Sequence, residues 1–461
     1  MNTKTILMAM TCLCAFNSLQ GNAQVAGGNT LVATAIEQRR VTLRDSILNH
    51  ISGAKIAAKS LQIKNFGAKN DGKTDCRAAF AKAIKKASAM KGAKIVVPAG
   101  TYYIKGPIVL ASNICLELQK GATLKFAPEE KYYPIVNTSW EGTFLYNYSP
   151  LIYAYGCKNV SIIGEGTIDG NAMTTFAKWK PHQKKAQQLS RKMNHEEVPV
   201  SERKFGDGYW LRPQLVQLYN CQGITLEGVK ITNSPFWCIH LLKSENIICR
   251  NLRYDAKLIN NDGLDPECSR NILIEGIAFN NGDDNVAIKS GRDNDGWNAK
   301  MPSENIIIRN CHFARWAITI GSEMSGGVRN IYIEDCKIDS CRNGIYFKSN
   351  LDRGGYFENL NMRRIEADVC LWGVINFRTN YHGYRGGNHP TLFRNICIED
   401  VTCNRVDSVA LMANGLPEAK LYDITLRNIT VKKAPKAIQM ENVVNLTLDN
   451  VTVNGKAVTA P

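Results

Sequence analysis

The chain has 461 residues, 44% of them hydrophobic, and its 57 lysines and arginines outnumber 41 acidic residues to give a formal net charge of +16. That much apolar sequence excludes a disordered chain, and one elongated repeat domain accounts for it as well as two globular ones. The cations suit an anionic partner, but they are dispersed, without the aromatic-interleaved basic tract of a nucleic-acid reader, so no nucleic acid is expected.

Residues Lys4 to Ala23 carry a lysine, the apolar run Ile6-Leu7-Met8-Ala9-Met10 and a Gly21-Asn22-Ala23 end, which predicts a signal peptide over 1–23. No run is long and apolar enough to span a membrane, so an exported protein, periplasmic or secreted, is expected. For an exported cationic chain an acidic polysaccharide is the expected partner, and a monomer is the favoured state. Residues 24–60 read as a lead-in segment, with Ile36, Val41, Leu43, Ile47, Leu48 and Ile51 at loose helical spacing. From Leu61 the text becomes strand-like at Ile63, and Thr74 is the expected cap of a helix with Cys76, Phe80, Ile84 and Ala87 on one face. Strands follow at Ile95-Val-Val-Pro, Gly100-Thr-Tyr-Tyr-Ile and Ile114-Cys-Leu-Glu-Leu.

From Cys157 the chain repeats itself. Asn159, Gly223, Asn246, Asn271, Asn305, Asn330, Asn359, Asn395, Asp423 and Asn445 each open an alternating apolar run, roughly every 22 to 29 residues where no insertion intervenes. That period belongs to a solenoid, and the fixed leucine spacing and helices of a leucine-rich repeat are missing. The expectation is all-β, a parallel β-helix over 61–461, with the helix near Thr74 as N-terminal cap. Asparagines at the turns can bond to the asparagine of the next coil. The stretch Asn171 to Leu211 breaks the repeat and is rich in Lys, Arg and Gln; it is expected to be a partly helical loop beside a cleft. Its Trp179 and Trp210 either platform a sugar ring or anchor the loop.

Of 15 cysteines, Cys12 and Cys14 fall in the signal. The rest lack Cys-x-x-Cys pairs, and most sit in apolar strand runs, so they are expected to be free core thiols. Seven histidines show no ligand spacing, and neither metal nor cofactor is expected.

The chemistry points to Asn260–Lys289. Asn260-Asn-Asp-Gly-Leu-Asp and Gly282-Asp-Asp-Asn are both Gly-marked turns beside apolar runs, and roughly 21 residues separate Asp262 from Asp283, one coil of a stack. Asp262, Asp283 and Asp284 would then share one patch, where like charges keep one carboxyl protonated while its neighbours remain basic. A lone Asn-Asp-Gly is more often only a turn. The doublet ahead of a strand is not something a turn requires.

These residues resemble glycoside hydrolase family 28, the polygalacturonases and related pectin hydrolases, whose Asn-Thr-Asp-Gly-(Ile/Leu)-Asp and Gly-Asp-Asp patterns are similar to residues 260–265 and 282–284. The resemblance implies a right-handed parallel β-helix and an inverting hydrolase, with Asp283 as general acid and Asp262 and Asp284 activating water. It further implies a pectin substrate cleaved at α-galacturonosidic linkages, and exo-like features at Lys289–Arg292 and Arg353-Gly-Gly suggest action at a chain end. Ser234-Pro-Phe-Trp-Cys-Ile-His240 also resembles a family strand, and His240 is either a cleft residue or, by preference, a structural one. Arg292 either grips a uronate carboxylate or is a plain surface arginine.

Two departures stand out. Trp316 stands where the family has the histidine of Gly-His-Gly, ahead of Ile318-Thr-Ile-Gly-Ser, and Tyr346 stands where it has the arginine of Arg-Ile-Lys, although Lys348 is kept. One cation and an aromatic pair instead of two cations suggest a less anionic ring, as in rhamnogalacturonan. A rhamnogalacturonan-specific hydrolase and a non-catalytic pectin-binding homologue are therefore alternatives, as is a β-helix lyase, which no calcium-style acidic loop supports.

Overall fold

The computed structural model describes the backbone of residues 26–460 and side chains from 37 on; the expected signal segment lies outside the described residues. The chain divides into two compact units, one ending at Ser46 and the other beginning at Ile47. The lead-in forms a helix over Ala26–His50. In the second unit Ile47, Leu48 and Ile51 pack on Leu273, Ile307 and Tyr332.

From Ser60 the chain winds into a right-handed parallel β-helix. Ile224, Ile247, Ile272, Ile306, Ile331, Leu360, Ile396, Ile424 and Leu446 pair in that order, one per coil. On the next face Val216, Ile239, Leu264, Val286, Ile318, Ile345, Ile375 and Leu411 do the same. Side chains alternate across a strand, so one residue in two enters the interior and the stacked rows of Ile, Leu and Val become a continuous core. A six-stranded row from Asp71–Asp75 to Arg253–Asp255 forms another parallel face.

The first coils are covered by the helix Arg77–Ala89, which buries Ala79, Phe80, Ala83, Ile84 and Ala87. Thr74 does not cap it: its hydroxyl donates to Asp71 at 2.7 Å, while the Asp75 carboxylate accepts the Arg77 N–H at 2.9 Å. Likewise Ile63 opens a 3₁₀ turn, Ile63–Phe66, just after the short strand Ser60–Gln62.

The turn asparagines make the expected ladder. Asn305 donates to Asn271, Asn330 to Asn305, Asn359 to Asn330 and Asn395 to Asn359, at 2.6–3.2 Å. Each has φ between 54° and 57°, the left-handed region that Asn tolerates better than other side chains. All thirteen described cysteines are buried.

The break in the repeat carries the helix Lys184–His195, preceded by a 3₁₀ turn at Phe176–Trp179. Trp140, Leu145, Ala186, Phe205, Leu211, Phe236 and Trp237 form an apolar cluster at its base. Trp179 is buried against Phe176 and Tyr148, so it anchors the loop.

Candidate active site

Asp262 lies just before the strand Leu264–Glu267, and Asp283 and Asp284 just before Val286–Ile288. Because Leu264 pairs with Val286, the two acidic turns stack. One carboxylate oxygen from each of the three aspartates lies within 4.8 Å of the others. That spacing lets two of the carboxylates hydrogen-bond one shared water at ordinary distances of about 2.7 Å each.

Buried amides fix the turns. Asn281 donates to the carbonyls of Asn261, Asp283 and Asp284 at 2.9–3.1 Å, and Asn285 donates to Asn281 at 2.7 Å. Asn261 donates to the Ser234 and Phe236 carbonyls. A Cβ at Gly282 would run into the Leu258 carbonyl oxygen, which is why the doublet follows a glycine. Arg212, fully buried, donates to Asn260 at 2.8 Å, and Asn260 in turn donates to Asp283 at 3.3 Å.

The three acids sit in different environments. Asp284 accepts Lys348 Nζ and Thr319 Oγ1, each at 2.7 Å. Burial, then the neighbouring Asp284 carboxylate, pushes the Asp283 carboxyl up, with Lys348 pulling the other way. Burial, then Asp265 and Asp283, pushes Asp262 well above the carboxylate range. Its Oδ1 has no hydrogen-bond partner, nor has either oxygen of Asp265 beneath it. Asp283 is the most accessible of the three, since Asp262 and Asp284 are both buried.

A cavity of about 430 Å³ opens over these residues, lined also by Lys348, Tyr346, Trp316 and Arg292. The Arg292 fork is already engaged, with Nη2 2.5 Å from Glu323 and Nε 2.9 Å from the Glu141 carbonyl. Lys289 Nζ lies 3.2 Å from Glu323; against the cost of burial, Glu323, Asp265 and Asp262 hold its pKa well above the usual lysine value. His240 is fully buried and does not line the cavity. It is clamped between Glu267 at 2.7 Å and Gln217 at 2.9 Å, a structural histidine.

Sequence reasoning missed the far walls. Lys180, Gln187 and Arg191 of the insertion line the cavity, as do Glu141, Trp372, Arg378 and Tyr381. Glu141 receives Gln187 at 2.7 Å and Arg191 at 2.8 Å, tying the insertion helix to the hairpin Ile135–Trp140/Thr143–Tyr148. Only the charged and aromatic character of the insertion hinted at this. Trp210 is half-exposed and lies outside the cavity.

The chain is 28% identical over 405 residues to a protein named probable polygalacturonase from Vitis vinifera, covering 84% of this chain and 77% of that one. An endo-polygalacturonase of Pectobacterium carotovorum subsp. carotovorum is 25% identical, covering 78% and 85%. The crystal structure of an exopolygalacturonase from Thermotoga maritima superposes with a TM-score of 0.82 at 35% identity, over 89% of this chain and 96% of that chain. With the paired acidic turns stacked on a parallel β-helix, and the profile of glycosyl hydrolases family 28 matching residues 87–452, the chain belongs to that family of glycoside hydrolases.

Proposed function

We propose that the chain hydrolyses α-galacturonosidic linkages in pectin, releasing sugar from a chain end. The observation that carries this is the triad of Asp262, Asp283 and Asp284 with oxygens within 4.8 Å at the floor of a cation-lined cavity. Asp283, raised and accessible, protonates the leaving oxygen. Asp284, ion-paired with Lys348, takes the proton of the attacking water, which Asp262 helps to hold, and attack from the face opposite the leaving group inverts the anomeric centre. The proton balance closes because Asp284 passes the water's proton to solvent while Asp283 takes one back, so both carboxyls return to their starting states.

Action at a chain end is supported by the insertion, whose Lys180, Gln187 and Arg191 wall the cavity and whose base is held by an apolar cluster. It also agrees with the resemblance to the Thermotoga exopolygalacturonase. Export and an acidic plant polysaccharide as substrate complete the reading. Among the described residues no helix is long and apolar enough to cross a membrane.

A second reading, a hydrolase of rhamnogalacturonan, is favoured by Tyr346, which packs under Lys348 at 5.0 Å where the resemblance leads one to expect a second cation. Incubation with homogalacturonan beside rhamnogalacturonan, with product analysis, separates the two. Monogalacturonate from homogalacturonan, lost in Asp283→Asn, is the expected result; release undiminished in that variant overturns the assignment. Proton NMR of the nascent anomer tests inversion.

A further inference from the structure

The site has many cations, but most are already paired. Arg191 binds Glu141, Lys289 and Arg292 bind Glu323, Lys348 binds Asp284 and Arg353 binds Asp293. Lys180 and Arg378 line the cavity outside these pairs.

A further cation outside the pairs, Arg342, stands against two of the lining residues where three coils stack. Arg315 pairs with Cys341 and Cys341 with Cys370, so the turns carrying Trp316, Arg342 and Trp372 lie over one another. The Arg342 guanidinium carbon is 4.3 Å from the centre of the Trp316 ring and 5.1 Å from that of Trp372. The two indoles meet edge-on at 6.1 Å, and both line the cavity. Among the described residues no carboxylate is ion-paired with Arg342, which is exposed. Both rings hold the guanidinium within cation–π distance while it stays exposed to a ligand. A freely swinging arginine would lose more side-chain entropy on binding. Arg378, in register with Lys348, spends its Nε on Asn380 and has no such seat.

Resting on the uronate reading above, we propose that Arg342, seated by Trp316 and Trp372, is a specificity-determining cation that recognises the carboxylate of a galacturonate unit lying over these two indoles at the edge of the cavity. The two departures at 316 and 346 are then linked: the tryptophan that replaces a histidine seats an arginine that compensates for the one missing beside Lys348. Trp316 and Trp372 act as positioning residues, and Arg342 as the binding residue.

The test uses the full chain carrying Asp283→Asn, titrated calorimetrically with trigalacturonate and with its methyl ester. Adding Arg342→Gln should weaken trigalacturonate about tenfold, the worth of one charge-assisted hydrogen bond, and barely alter the ester. In the active enzyme the same substitution should raise KM on polygalacturonate more than it lowers kcat. Trp372→Ala should reproduce part of the loss and Trp372→Phe should restore it. Equal affinity with and without Arg342→Gln, or an equal loss on acid and ester, overturns the proposal while leaving the hydrolase reading intact. Failure of Asp283→Asn to bind either oligomer, with no hydrolysis by the parent chain, overturns both.

Discussion

Asp262 is buried among other acids with one oxygen unbonded, and this is a cost the fold bears at the catalytic centre. Its carboxyl holds a proton more tightly folded than unfolded, so its contribution to stability falls as pH rises from the ordinary carboxyl value through the raised one. Asp262→Asn should therefore stabilise the protein at neutral pH by on the order of 1–2 kcal/mol and flatten the pH dependence of unfolding by denaturant, even as it removes activity. At Asp283 the readout is the rate. The proton-donating form is lost as pH rises, so the alkaline limb of kcat/KM should lie above the ordinary carboxyl range. Asp283→Asn should lower kcat about 10²–10⁴-fold. Because Lys348 holds the Asp283 pKa down, Lys348→Met should move that limb to higher pH while weakening the enzyme. A stopped-assay pH series on the three proteins measures both effects.

At the scale of elements, the strands and acidic turns were legible because one residue in two must be apolar and because Gly-Asp-Asp leaves few alternatives. Asn281 and Asn285 were not legible as positioning groups: asparagine reads as a turn residue, and only the fold shows these two buried with their amides on the acidic turns. The Lys184–His195 helix is mostly Lys, Gln and other polar residues, but Ala186, Leu189 and Met193 at i, i+3 and i+7 pack it on the apolar cluster at its base, and Gln187 and Arg191 tie it to Glu141. Arg212, just past the insertion, gives no sign of a role in the sequence; folded, it reaches Asn260 and so supports Asp283 at one remove. If the insertion blocks one end of the groove, Lys180→Ala with Gln187→Ala should add di- and trisaccharides to the monomer products. Trp210→Ala, outside the cavity, should leave the product pattern as it was. Chromatography of early products from polygalacturonate distinguishes these outcomes.

For the whole molecule, stability is a sum of coil-to-coil contacts rather than of one globular centre. Asn330 both donates to Asn305 and accepts from Asn359 at a left-handed φ of 56°, so Asn330→Ala removes two rungs and strains the turn. A loss of about 2 kcal/mol is expected in denaturant melts, with the active site little changed. The thirteen buried cysteine side chains have a different consequence. These thirteen should resist alkylating reagents for hours in the native protein, because each is buried. Once heat opens the coils, the sulfurs become reactive together and air will join them in wrong combinations. Cooling should then recover little enzyme from an aerated sample and far more from one kept reduced.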